Sequence, residues 1–168
     1  MLPAYFGNMA PVIFKNLNFI KTPVDFGANF LDGKPIFGKN KTIQGIIFAT
    51  VFGIIVAYVQ YTLYQNNLFK GLSLIDYSNW MQIGFLFGFG AIFGDLVKSF
   101  FKRRVNIKPG QPFIPFDQID FVIGALFFVY FTGILTWQIV ITLLIVSPIL
   151  HITVNHIAYY THIRGEKW

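Results

Sequence analysis

Three carboxylates and a dense run of cations are the residues of this chain with the most chemistry to offer. Within Gly94-Asp95-Leu96-Val97-Lys98-Ser99-Phe100-Phe101-Lys102-Arg103-Arg104, Asp95, Ser99, Lys102 and Arg103 stand at i, i+4, i+7 and i+8, and Lys108 follows shortly. A helix through the segment puts one carboxylate, one hydroxyl and two cations on one face. Lys98 and Arg104, and on one reading Lys102, are expected only to snorkel to the headgroups where a membrane span ends. Asp95 has no such explanation. An acid one turn inside an apolar helix is costly unless it is paired or binds a cation.

Beyond the break Pro109-Gly110-Gln111-Pro112, the segment Pro115-Phe116-Asp117-Gln118-Ile119-Asp120 runs into the next apolar stretch. Asp117 and Asp120 lie side by side on a first helical turn. Two readings stay open: they cap free N–H groups and complement the helix dipole, or they join Asp95 as ligands. Three carboxylates at one membrane face suit Mg²⁺, which takes one or two carboxylates plus substrate phosphates, and the neighbouring Lys and Arg suit the phosphates.

An earlier loop, Asp32-Gly33-Lys34-Pro35-Ile36-Phe37-Gly38-Lys39-Asn40-Lys41-Thr42, imitates GxxxxGK. It is not a P-loop: Asn40 stands where a metal-binding Ser or Thr belongs, Pro35 removes an N–H from the cradle, and no strand precedes it. Its glycines, lysines and threonine still offer phosphate contacts, or else form a solvated basic loop near anionic lipid. Near the C-terminus Ser147, His151, Asn155 and His162 make a polar stripe on one helical face. Such a stripe usually hydrogen-bonds between helices; His151 and Asn155 could instead line a ligand cavity.

The elements that must position these groups are membrane spans. The chain has 168 residues, 55 % apolar and only 12 % charged, against roughly 25 % charged in an ordinary soluble domain, which excludes disorder. Without cysteine there is no disulfide framework, thiolate zinc site or cysteine nucleophile. Crossing a bilayer takes about 20 apolar residues, and the expected architecture is all-α, one polytopic domain over residues 1–168. Its five transmembrane helices lie near 1–14, 43–64, 80–101, 117–133 and 136–163, with cytoplasmic loops at 15–42 and 102–116. The first is irregular, with Pro3 and Pro11, and a tight turn near Thr132–Thr136 separates the last two. Gly84 with Gly88, and Gly90 with Gly94, let other helices approach closely.

Basic residues alternate loop by loop, so the positive-inside rule places the N-terminus outside and the C-terminus in the cytoplasm. That alternation accounts for the net charge of +6 without nucleic acid. The expected location is the cell membrane. Oligomeric state has no signature.

The segment Gly94–Asp120 resembles the signature of the membrane cytidylyltransferases, the CDP-diacylglycerol synthase superfamily: GD, a serine four residues on, KR, a further Lys, Pro and DxxD. Here these are Gly94-Asp95, Ser99, Lys102-Arg103, Lys108, Pro115 and Asp117 to Asp120. Leu2-Pro3-Ala4-Tyr5 with Asn8 and Pro11, Asp32-Gly33 through Gly38, Lys41-Thr42 with Gly45, and Asn155, Lys167 and Trp168 are similar to the archaeal branch, the CDP-archaeol synthases. Against the bacterial pattern, Pro109 replaces an Asp, a His-Gly-Gly insert is missing, and Gln118 replaces Arg within DxxD; all three agree with the archaeal branch.

The resemblance implies that Asp95 and Asp117, assisted by Asp120, hold Mg²⁺. It implies that Ser99, Lys102, Arg103 and Lys108 handle phosphates, and that Lys41, Thr42, Asn155 and Lys167 contribute to substrate binding. The implied reaction takes CTP and a polyprenylated diether glycerol phosphate to a CDP-lipid and pyrophosphate. Two alternatives share parts of the pattern: a CTP-dependent polyprenol or phytol kinase, and a small transporter whose Asp95 and polar stripe line an ion path. Charge gathered at one membrane face rather than at the midplane argues against the transporter.

Overall fold

The structure is a computed structural model that describes residues 1–14, 17, 19–68, 70–73, 75–133 and 135–161, with the backbone alone at 72 and 158. Lys167, and with it His162, Arg164 and Trp168, lies outside the described residues. The described chain is helical: α1 (Leu2–Ile13), α2 (Ile43–Gln65), α3 (Trp80–Arg104), α4 (Phe116–Tyr130) and α5 (Trp137–Tyr160), with a single 3₁₀ turn at Lys70–Leu72. Among the described residues extended pairing is limited to two isolated bridges, Pro23 with Thr42 and Asn29 with Pro35.

The all-α expectation holds, with five helices in the expected order. Three helices are long and apolar enough to cross a bilayer: Ile43–Gln65, Trp80–Arg104 and Trp137–Ile157. With 12 and 15 residues, α1 and α4 reach only ~18 Å and ~22 Å at 1.5 Å per residue, short of a hydrocarbon core of about 30 Å. The first segment is a continuous helix, not an irregular one. Pro3 falls in its opening turn, where no N–H is needed. The turn between α4 and α5 falls at 131–136, as expected.

The chain folds around α3 because two glycine pairs on that helix serve two different neighbours. Gly84 and Gly88 meet α2, where an added Cβ would stand 2.6 Å from Ile54 Cα and 2.7 Å from the Ala49 carbonyl oxygen. Gly90 and Gly94 meet α4, where it would stand 2.8 Å from Ala125 Cα and 2.0 Å from the Asp120 carbonyl oxygen. On α2 the facing residues Gly45, Ala49, Gly53 and Ala57 recur every four positions, and all are buried. Backbones therefore touch backbones, which is how helices associate where lipid removes the hydrophobic drive. The apolar core joins α1, α3 and α4 through Ala4, Ile83, Phe87, Ala91, Phe121, Val122 and Ala125, and α5 lies against α4.

Candidate functional site

Close contact of α3 with α4 brings the three carboxylates together. Lys98 Nζ lies 3.0 Å from Asp95 Oδ1, 2.8 Å from Asp117 Oδ1 and 2.6 Å from Asp120 Oδ2. From the start of α2, the Lys41 ammonium pairs with Asp95 Oδ2. Lys102 Nζ stands 3.5 Å from Asp117 Oδ1 and also donates to the Gln111 carbonyl. Asp95, Ser99, Lys102, Arg103 and Asp120 are all buried. The face of α3 shared by Asp95, Ser99, Lys102 and Arg103 is thus the face turned into the protein.

Two expectations are settled by this geometry. Lys98 does not snorkel: its side chain is 13 % exposed and sits at the centre of the acids. Three ion pairs at 3.0 Å or less outweigh a headgroup position that would leave the buried Asp120 without its ammonium partner. Nor does Asp117 cap α4. That helix has no side-chain cap bond, and Asp117 faces Lys98 and Lys102 and accepts the Phe113 N–H.

The loop leading into α2 closes over the end of α3. Arg104 was also expected only to end a span, yet it grips this loop. Its Nε donates to Asp32 Oδ2 at 3.0 Å and Nη2 to Asp32 Oδ1 at 3.0 Å, Nη1 reaches the carbonyls of Pro35 and Ile36, and the guanidinium lies 4.1 Å over the Phe100 ring. Lys34 Nζ returns a bond of 2.8 Å to the Arg104 carbonyl. The Arg104 guanidinium beside Asp32 holds that carboxyl below its ordinary value of 3.8.

Inside the loop, Asp25 accepts the N–H groups of Gly27, Phe37 and Gly38. Burial pushes the Asp25 carboxyl up, but bonds from Gly38, Phe37 and Gly27 outweigh it and leave the group below 3.8. Gly38, at φ +93°, lets the chain turn against Arg103.

Between this loop and the segment after α3 lies a cavity of about 480 Å³, lined among others by Asp25, Lys34, Lys39, Arg103 and Lys108. Arg103 Nε is buried with no hydrogen-bond partner. A buried, unpaired guanidinium nitrogen at a cavity lined by lysines fits an anionic ligand.

The other sequence candidates are placed as follows. Thr42 caps α2, its side chain accepting the Gly45 N–H at 3.2 Å, and thereby sets the direction of Lys41. Asn155 is half-buried on α5, its Nδ2 3.3 Å from His151 Nδ1; the His151 ring is 5.8 Å from that of Phe121, the neighbour of Asp120. Ser147 on the same stripe is fully buried. Sequence reasoning missed the roles of Lys98, Arg104, Asp32 and Asp25. The i,i+3 spacing of Asp95 and Lys98 was a usable signal for the first; the pairing of Arg104 with Asp32 spans 72 positions, and Asp25 meets Phe37 and Gly38 only when its own loop folds back over 12 and 13 positions.

A family model described as CarS-like, CDP-archaeol synthase, matches residues 1–168. The chain belongs to the CDP-archaeol synthase family. It is 37 % identical to the CDP-archaeol synthase of Methanocaldococcus jannaschii over 172 residues, covering 100 % of this chain and 93 % of that one. The Pyrococcus furiosus member is 37 % identical, with 100 % and 94 % covered, and that of Thermococcus onnurineus 39 %, with 100 % and 93 %. A solved intramembrane enzyme of archaeal membrane lipid biosynthesis superposes with a TM-score of 0.74 at 29 % identity, covering 92 % of this chain and 89 % of that one. Family membership agrees with the resemblance carried by Gly94–Asp120 and makes the chain an enzyme of the membrane.

The fit of the carboxylates to a cation can be tested on their surroundings. Among the described residues no three His, Cys, Asp or Glu side chains are close enough to hold a metal ion by themselves, because Lys98 Nζ fills the point where Asp95, Asp117 and Asp120 meet. Yet Asp120 Oδ1 is buried without a hydrogen-bond partner, and the groups around Nζ are hard oxygens. The donor set fits a divalent cation in the place of the ammonium.

Proposed function

We propose that the paired cavity and acid cluster carry CTP-dependent transfer of a cytidylyl group to a diether glycerol phosphate lipid, giving CDP-archaeol and pyrophosphate. The observation that carries the reading is the convergence of Asp95, Asp117 and Asp120, from two helices, beside a cation-lined cavity. Five crossings with the N-terminus outside would put cavity and cluster together at the cytoplasmic face, with α1 and α4 as short or tilted segments. There CTP arrives from water while the lipid keeps its chains in the bilayer.

The nucleophile is the phosphate of the lipid, already an anion, so no serine nucleophile or histidine base is needed. The chain's task is to hold two anions in line and to answer charge moving onto the leaving pyrophosphate. Arg103, Lys108 and Lys39 at the cavity wall receive the triphosphate, Lys102 and Ser99 face the reacting phosphorus from α3, and Lys41 steadies Asp95. Asn155 and Thr42 contribute to substrate binding, as does Lys167, which lies outside the described residues. Asp95, Asp117 and Asp120 would hold Mg²⁺, whose charge offsets that of the phosphates.

The test is magnesium-dependent incorporation of cytosine-labelled CTP into a chloroform-soluble product with release of pyrophosphate. With a polyprenol offered in its place, release of CDP with phosphate on the lipid would instead identify a kinase, and no turnover with either the glycerol phosphate lipid or the polyprenol would favour a transporter.

A further inference from the structure

The charges in the acid cluster balance without any added ion. Asp95, Asp117 and Asp120 contribute three negative charges and Lys41, Lys98 and Lys102 three positive ones, for a net of zero. Of these cations Lys98 alone touches all three acids, and it does so from a buried position. We infer that Lys98 is the resident counter-ion of the site: it holds the carboxylates together in the metal-free protein and competes with the divalent ion for them. This inference rests on the proposed function for the identity of the ion and of its companion anion.

The physical consequence follows from the balance. A dication entering the cluster alone must push aside an ammonium that already has three partners, and with that ammonium still tethered beside it the buried site carries a net charge of +2. Arg103 Nε, buried and unpartnered, lies on the neighbouring residues of the same helix and adds to the excess. Uncompensated buried charge is strongly unfavourable. A polyphosphate arriving with the metal relieves it, since its oxygens can take the displaced ammonium as well as the ion. The site is thus built to admit a metal–polyphosphate complex and to refuse the bare ion. Lys98 is a positioning residue on this reading, and it sets the order in which the site fills.

The test uses the full chain in detergent and Mn²⁺ alone as the probe, read by the loss of the free Mn²⁺ paramagnetic signal. Lys98→Met is expected to bind bare Mn²⁺ at least ~10-fold tighter than the wild type, as removing a competitor at 3.0 Å or less requires. Its metal-free form is expected to melt lower, with Mn²⁺ restoring the loss. Lys98→Arg keeps the charge and is expected to bind bare Mn²⁺ no tighter than the wild type. All variants are purified in excess Mn²⁺ and then stripped, so folding does not depend on the lysine.

Equal or weaker Mn²⁺ binding by Lys98→Met would overturn the inference. So would Lys98→Arg binding as tightly as Lys98→Met, or a Lys98→Met protein that cannot be recovered even with Mn²⁺ present. These readouts need no turnover. Failure of wild-type protein to form a CDP-lipid would sink the proposed function and leave the competition between Lys98 and the ion to stand or fall on the Mn²⁺ data.

Discussion

Gly94→Ala tests whether the α3–α4 contact sets the geometry of the acid cluster. The new methyl carbon would stand 2.0 Å from the Asp120 carbonyl oxygen and 2.8 Å from the Asp120 carbonyl carbon, where real contacts stay above 3.0 Å. Both obstacles are helix backbone, which cannot rotate aside, so the helices must separate by at least about 1 Å. Lys98 Nζ now spans Asp95 and Asp120 at 3.0 and 2.6 Å, and a separation of that size takes one of these pairs out of hydrogen-bonding range. Misplacing a reacting group by 1 Å costs turnover ~10²-fold, and overpacking costs about 1–3 kcal/mol of stability. The assay is labelled-CTP incorporation with a melting curve on the same detergent preparation. Gly71→Ala, where nothing lies within 4 Å of an added Cβ, is the control and should match the wild type in both. Wild-type turnover and melting in Gly94→Ala would refute the claim that backbone contact at this position holds the site together.

Asp95→Asn and Asp117→Asn should express and insert normally but lose turnover by at least ~10²-fold, as loss of a group that answers developing charge does; near-normal activity of both, measured on purified protein, would remove the carboxylates from the mechanism. Asp25→Ala leaves three backbone N–H groups without their acceptor and should cost the first loop about 1–3 kcal/mol, read as faster proteolysis between residues 26 and 37. Because the Asp25 carboxyl lies below its ordinary 3.8 in the folded chain, the order it gives the loop is complete above pH ~4 and is lost as pH falls through the lowered value; loop proteolysis should rise more steeply in acid in the wild type than in Asp25→Ala, where only the Asp32–Arg104 pair is left to titrate. Arg104→Lys keeps the charge but not the two-pronged bond to Asp32, so cleavage of the same loop should quicken while the helices melt unchanged.

Much of the site could be read along the chain because its parts are local. Asp95, Ser99, Lys102 and Arg103 share a face by helical spacing alone, and the glycine pairs of α3 announce close neighbours wherever those neighbours come from. The apolar runs likewise mark the helices, since a polar backbone in lipid must satisfy its own bonds. Membership in a family of membrane enzymes was legible in 27 residues, Gly94–Asp120.

Other properties belong to the assembled chain. Lys98 looked like any basic residue at a span's end, and only the approach of α4 across Gly90 and Gly94 makes it the centre of three acids. Arg104 and Asp32 are 72 positions apart, so no local pattern joins them. The stripe of Gly45, Ala49, Gly53 and Ala57 on α2 acquires meaning only beside Gly84 and Gly88. Spacing within one helix determines which side chains share a face, but the charge a side chain meets there is set by the neighbouring helix, through distances that depend on how closely two backbones can pack.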